Sequence, residues 1–109
     1  MIKEIRTYRT KTGKDPFTNW ISNLKDIIGR AQITNRINRA ARGNYGDCEP
    51  VGDGIFELRI HYGPGYRIYF TEQAGTILLL ILGGSKRTQK QDIKKAKEFW
   101  NEFRERCYD

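Results

Sequence analysis

Five side chains between Ile55 and Asp92 have the types and spacing for chemistry on a phosphate: Arg59, Arg67, Tyr69, Lys86 and Arg87. They stand off the hydrophobic pattern of three strand-like runs, Ile55–Ile60, Tyr66–Glu72 and Thr76–Leu82, which glycine-bearing turns connect. Arginine is permanently charged, planar and able to hold two phosphate oxygens at once. A small antiparallel sheet that gathers arginines, lysines and tyrosines on one face suits the binding of a polyanion, and equally its cleavage. The turn Gly63-Pro64-Gly65 would hold Arg59 and Arg67 near each other across a hairpin. A plainer arrangement uses the same residues. Arg59 and Arg67 would pair with Glu57 or Glu72, and Lys86-Arg87 would be a solvated charge pair after a strand.

The elements that must position these groups are legible in outline. Ile2–Arg9 mixes apolar and polar residues in the manner of a first strand. Asp15-Pro16 marks a helix start, with aspartate as cap and proline where a missing N–H is no loss. Phe17, Trp20, Ile21, Leu24 and Ile28 then fall on one helical face, and Gly29 is expected to break the helix. A second helix runs to about Arg42, with Ile33, Ile37, Ala40 and Ala41 inward and its arginines mostly outward; Gly43-Asn44 ends it. Tyr45–Val51 reads as a short strand before the turn Gly52-Asp53-Gly54. Ile77–Leu82, apolar on both faces, should be covered on both sides. A last helix covers about Lys90 to Glu105, with Ile93, Ala96, Trp100 and Phe103 on one stripe. The order β-α-α-β-β-β-β-α predicts an α+β fold: an antiparallel sheet with an N-terminal strand, an α-hairpin and a C-terminal helix packed on it.

At 109 residues the chain is long enough for one core and too short for two. Its net charge of +7 is unevenly spread. Ile27–Gly46 holds Arg30, Arg36, Arg39 and Arg42 without an acid, and Gln73–Gln91 holds Lys86, Arg87 and Lys90 without one. Such clustering favours phosphate or an acidic protein as partner. The N-terminal MIKEIRTYRT carries charge where a signal peptide needs an apolar run, and no stretch has transmembrane length. The expectation is a cytoplasmic protein with no membrane partner. Cys48 and Cys107 read as reduced thiols, and no His/Cys/Asp cluster has metal-ligand spacing, so no metal and no cofactor are expected. His61, the single histidine, sits at a turn and reads as solvated or structural.

The passage ELRIHYGPGYRIYF (Glu57–Phe70) followed by LGGSKRTQKQDI (Leu82–Ile93) resembles the RelE/ParE superfamily of toxins. It is most similar to the HigB-like branch, the addiction-module killer proteins. The combination of GYR-x-Y-F with GG-x-K-x-TQ-x-x-DI carries the resemblance, and the element order agrees over nearly the whole chain. What it implies is a single RelE/ParE-like domain over residues 1–109, the toxin of a type II toxin–antitoxin system. Such a toxin is usually a ribosome-dependent mRNA endonuclease (an mRNA interferase). Its implied partners are the ribosome, mRNA and a cognate antitoxin, in this branch often a helix-turn-helix DNA-binding protein.

The resemblance also implies roles. Arg67 matches a catalytic arginine of the RelE-like nucleases, Arg59 lies near their catalytic lysine on the preceding strand, and Arg87 matches a second catalytic arginine. The tyrosine of the best-known nucleases would fall near Asp92-Ile93, where this chain has none. HigB-like relatives use histidine and acid groups there, and Asp92 is such a group. Metal-free RNA cleavage needs a base near the 2′-hydroxyl, donors for the developing phosphorane charge and an acid at the leaving 5′-oxygen. Arg59 and Arg67 would clamp the phosphate, and Lys86, set among arginines, would move the proton. Tyr66 or Tyr69 would hydrogen-bond or stack on a splayed base. Arg36 and Arg39 would be a solvated face or a footing on ribosomal RNA. Two other readings stay open: a gyrase-inhibiting ParE-like toxin, and a catalytically inactive basic binding module. The basic set Arg59, Arg67, Lys86 and Arg87 favours the nuclease.

Overall fold

A computed structural model describes residues 1–108. Among these are five strands, three α-helices and one 3-10 turn. They run β1 (Glu4–Thr7), α1 (Pro16–Ser22), α2 (Ile27–Ala41), β2 (Cys48–Gly52), β3 (Ile55–Ile60), β4 (Tyr66–Gln73), β5 (Ile77–Ser85), the 3-10 turn Lys86–Thr88 and α3 (Gln89–Tyr108). The fold is α+β with one mixed sheet, ordered β1-β5-β4-β3-β2.

The expected antiparallel sheet is corrected at its first strand. β2 to β5 form an antiparallel meander, but β1 lies parallel to β5, with Glu4 opposite Ile77 and Thr7 opposite Leu80. Direct connections reverse the chain between each pair from β2 to β5. The excursion through α1 and α2 frees β1 from that alternation. β1 is also shorter than its apolar residues suggested: Ile2 and Ile5 are exposed.

The helical half follows its caps. Asp15 accepts the Thr18 N–H at 3.0 Å and Pro16 opens α1, as anticipated. The break before α2 comes at Asn23, however, not at Gly29. Asp26 caps α2 by accepting the Gly29 N–H at 2.9 Å, so Gly29 lies inside the first turn. A Cβ there would come within 2.7 Å of the Tyr66 ring, so the glycine serves close approach rather than helix termination. The break also rotates Ile28 out of the core stripe and leaves it 60% exposed.

The sheet is covered on both faces. On one, Phe17, Ile33 and Ile37 of α1 and α2 pack on Leu58, Ile68, Phe70 and Leu80. On the other, α3 sets Ala96, Trp100 and Phe103 against Ile55, Tyr69, Leu79 and Ile81. β5 therefore buries alternate residues against different helices, as its unbroken apolar run requires. Among the described residues, no helix is long and apolar enough to cross a membrane.

Candidate functional site

β3 and β4 pair so that Arg59 stands directly opposite Arg67, and Glu57 directly opposite Tyr69. Residues two apart share a face of a strand, so these four form a two-by-two block. Tyr69 packs in the α3-side core, which assigns the block to that face. One register step across, Arg67 is opposite Gly84 of β5.

Glu57 is the hub. Its side chain has no exposed surface, yet it accepts from Arg59 Nε at 2.9 Å, Arg67 Nη1 at 3.0 Å and the Tyr69 hydroxyl at 3.0 Å. Gln89, the first residue of α3, adds its Nε2 donor at 3.0 Å. Burial alone would raise the Glu57 carboxyl. The bonds from Arg59, Gln89 and Tyr69, with the charge of Arg67, outweigh burial and hold it below the ordinary carboxylate range. Burial and Glu57 drive the Tyr69 hydroxyl strongly upward, so Tyr69 remains a protonated donor.

The ion pairing anticipated as the plainer arrangement is therefore present, with Glu57 as the acid for both arginines. It does not use up their donors. A guanidinium carries five N–H groups, and the Glu57 contacts engage one from each arginine. The Arg59 side chain is 33% exposed. Arg67 is 11% exposed, and its Nε is buried without a partner among the described residues.

Lys86 and Arg87 lie at the same end of the sheet. The Lys86 N–H donates to the Gly65 carbonyl at 2.8 Å, tying the end of β5 to the hairpin between β3 and β4. Both side chains are exposed and form no ion pair among the described residues. Asp92, in the first turn of α3, accepts the Thr88 hydroxyl and lies against Gly84, the residue opposite Arg67. Arg59, Arg67, Lys86, Arg87 and Asp92 are thus brought to one end of the molecule.

The other predicted contacts are not brought there. Arg36 spends its Nη atoms on the backbone carbonyls of Arg59, Tyr45 and Asp47, stapling α2 to the start of β2 and the end of β3. That commitment corrects its assignment to RNA. Arg39 is exposed on α2, across the sheet from the block. Tyr69 is wholly buried, and Tyr66 is 5% exposed on the opposite face from Arg67. Tyr66 donates to Asp26 at 2.7 Å, and burial with that bond pushes its hydroxyl up to about 12. Neither ring is free to act as an isolated stacking platform, which corrects that expectation as well. His61 is exposed and pairs with Asp47. Among the described residues no group of three or more His, Cys, Asp or Glu side chains could hold a metal ion.

Sequence reasoning named Glu57 as one of two acids for Arg59 and Arg67 but not its bonds to Tyr69 and Gln89. The spacing Glu57-x-Arg59 puts acid and base on one strand face, which was the available signal. Gln89 offered none, because its role depends on where α3 crosses the sheet.

No family model matches the chain. A Haemophilus influenzae protein described as "uncharacterized protein" is 51% identical over 81 residues, covering 74% of this chain and 82% of that protein.

Proposed function

The chain belongs to the same family as the Haemophilus influenzae protein, and we propose that it is the toxin of a type II toxin–antitoxin pair. In this reading it is a ribosome-dependent mRNA endonuclease of the RelE/ParE kind, nearest the HigB-like branch, and acts in the cytoplasm. The observation that supports it is the opposition of Arg59 and Arg67 on one sheet face, with Lys86 and Arg87 beside them and guanidinium donors to spare.

In this mechanism the 2′-oxygen of the RNA attacks the adjacent phosphorus. The bond to the 5′-oxygen breaks, leaving a cyclic phosphate and a free 5′-hydroxyl. The open Nη edge of Arg59, with Arg67 behind it, holds the equatorial oxygens as charge builds on them. Lys86, as the neutral amine, would take the 2′-hydroxyl proton, and a proton from water would go to the leaving 5′-oxygen. Because Arg59 and Arg67 are also used to hold Glu57, orientation of the RNA falls to the ribosome. The antitoxin would oppose the Arg67 and Lys86 end with acidic groups or block ribosome entry.

The test is primer extension on a defined mRNA in a purified translation system. Arg59→Ala is the informative variant, because Arg67 is a partner of a buried acid and its removal also perturbs the fold. Cuts inside codons at the ribosomal A site, absent without ribosomes and weakened in Arg59→Ala, are expected. Intact mRNA would refute the nuclease. Intact mRNA together with growth arrest and supercoiling defects would transfer the proposal to gyrase.

A further inference from the structure

We propose that the groove between α1, the β3–β4 hairpin and the start of α3 is a nucleobase subsite that selects guanine, with Trp20 as its aromatic wall and Asp92 as the reading group. The inference rests on the RNA-cleaving reading above and assigns Asp92 to recognition rather than to proton transfer. The groove has a volume of about 400 Å³ and is lined by Trp20, Tyr66, Gly83, Gly84, Thr88 and Asp92 among others. That is within the size range of small-molecule sites, roughly 300–1,000 Å³.

Gly83 and Gly84 explain how it is built. Neither has a positive φ, so backbone conformation does not require glycine at either position. Space does. A Cβ on Gly83 would come within 2.2 Å of the Trp20 ring, and one on Gly84 within 1.9 Å of Asp92 Oδ2. Successive strand residues face opposite sides, so an indole and a carboxylate approach the same backbone from the two faces of the sheet. β1 pairs only as far as Leu80, which leaves Leu82–Ser85 without a neighbouring strand on that edge. The two groups meet at this open edge.

Three features together select the occupant. The wall is aromatic, with the half-buried Trp20 edge-to-face with Tyr66 at 6.0 Å between ring centroids. The polar group, Asp92, is an acceptor without a donor when ionised. Lys86 and Arg87, between the lining residues Ser85 and Thr88, supply positive charge next to that acid. A nucleotide presents a flat face, a donor edge and a phosphate, in that order. Among the bases guanine offers two adjacent donors, N1–H and the 2-amino group, which match one carboxylate. The Thr88 hydroxyl bonded to Asp92 Oδ2 fixes the carboxylate's orientation and leaves Oδ1 and the second lone pair of Oδ2 to accept.

The test uses the intact protein, ¹H–¹⁵N NMR and titration with GMP, AMP, CMP and UMP. GMP should shift the Trp20 indole N–H and the amides of Gly83, Gly84 and Ser85, and bind roughly tenfold more tightly than UMP. Asp92→Asn, nearly isosteric, should abolish that preference. Equal binding of all four nucleotides would overturn the subsite, as would shifts confined to Arg67, Lys86 and Arg87. So would an Asp92→Asn protein that keeps the guanine preference. No ribosome or cleavage is involved, so base-selective binding without mRNA cutting would sink the nuclease reading alone. Cutting without base-selective binding would sink this subsite alone.

Discussion

Replacing Glu57 by glutamine is the sharpest test of how the site is held. The substitution keeps size and leaves an oxygen to accept from the arginines, so it removes charge more than shape. Arg67, 11% exposed, would lose its only ion-pair partner among the described residues. Breaking a buried pair by removing one partner costs about 3–5 kcal/mol. Arg59 is a third exposed, and water screens its share, so it adds little. Retained hydrogen bonds place the expected loss at the lower end, about 3 kcal/mol. Against a typical stability of about 5–15 kcal/mol that is a large fraction. At about 4 °C per kcal/mol it is a Tm decrease of roughly 12 °C.

The assay is reversible urea unfolding of wild type, Glu57→Gln, Arg67→Met and the double variant at neutral pH. Removing both partners leaves no orphan charge, so the double variant should lose less than the sum of the singles, by about 1–3 kcal/mol. The pH dependence has a definite sign. Glu57 is held below its unfolded value of 4.5, so its contribution is complete above that pH and fades as pH falls through the lower folded value. Wild type should lose stability on acidification below about pH 4.5 more steeply than Glu57→Gln. A Glu57→Gln loss under about 1 kcal/mol, with additive singles, would refute the view that Glu57 is the electrostatic centre of this face.

Other substitutions separate fold from chemistry. Arg59→Ala should change unfolding free energy by less than about 1 kcal/mol, yet slow cleavage on the order of 10²–10³-fold in the translation assay. Arg36→Ala would take its donors from the part-buried carbonyls of Arg59 and Tyr45, while Asp47 keeps its bond from the Arg59 N–H, and should cost about 2 kcal/mol in urea unfolding. Gly83→Ala and Gly84→Ala force Trp20 or Asp92 off the strand and should each cost about 1–3 kcal/mol, with a changed Trp20 fluorescence maximum in the first.

How much of this was legible depended on whether a residue's role was local. The α1 cap, the α2 core stripe and the pairing of Arg59 with Arg67 follow from spacing and turn chemistry, and all are present. Gly29 was misread because its reason is remote: the Tyr66 ring, 37 positions away in the chain, occupies the space a side chain would need. The same holds for Arg36. On a helical wheel it is one arginine among several, and only the arrival of β2 and β3 at the helix turns it into a staple. The parallel placement of β1 was hidden too, since strand direction depends on the path through two helices rather than on any residue in Glu4–Thr7.

The hub also decides where mechanism can be examined cleanly. Gln89 joins α3 to Glu57, and Glu57 joins β3 to Arg67 and Tyr69 of β4. Any change at Glu57 or Arg67 therefore moves the docking of a helix as well as the placement of a guanidinium, and a lost activity there has two explanations. Arg59 lies at the edge of that network with a third of its side chain exposed, and Lys86 and Arg87 are exposed beyond it. If the face acts on RNA, charge removal at these three should weaken activity at unchanged folded fraction, and the deficit relative to wild type should shrink as salt rises, because each lost phosphate contact lowers the salt dependence that wild type shows. A face whose cations served stability alone would show the reverse: measurable unfolding changes and no dependence of function on which of the three is removed.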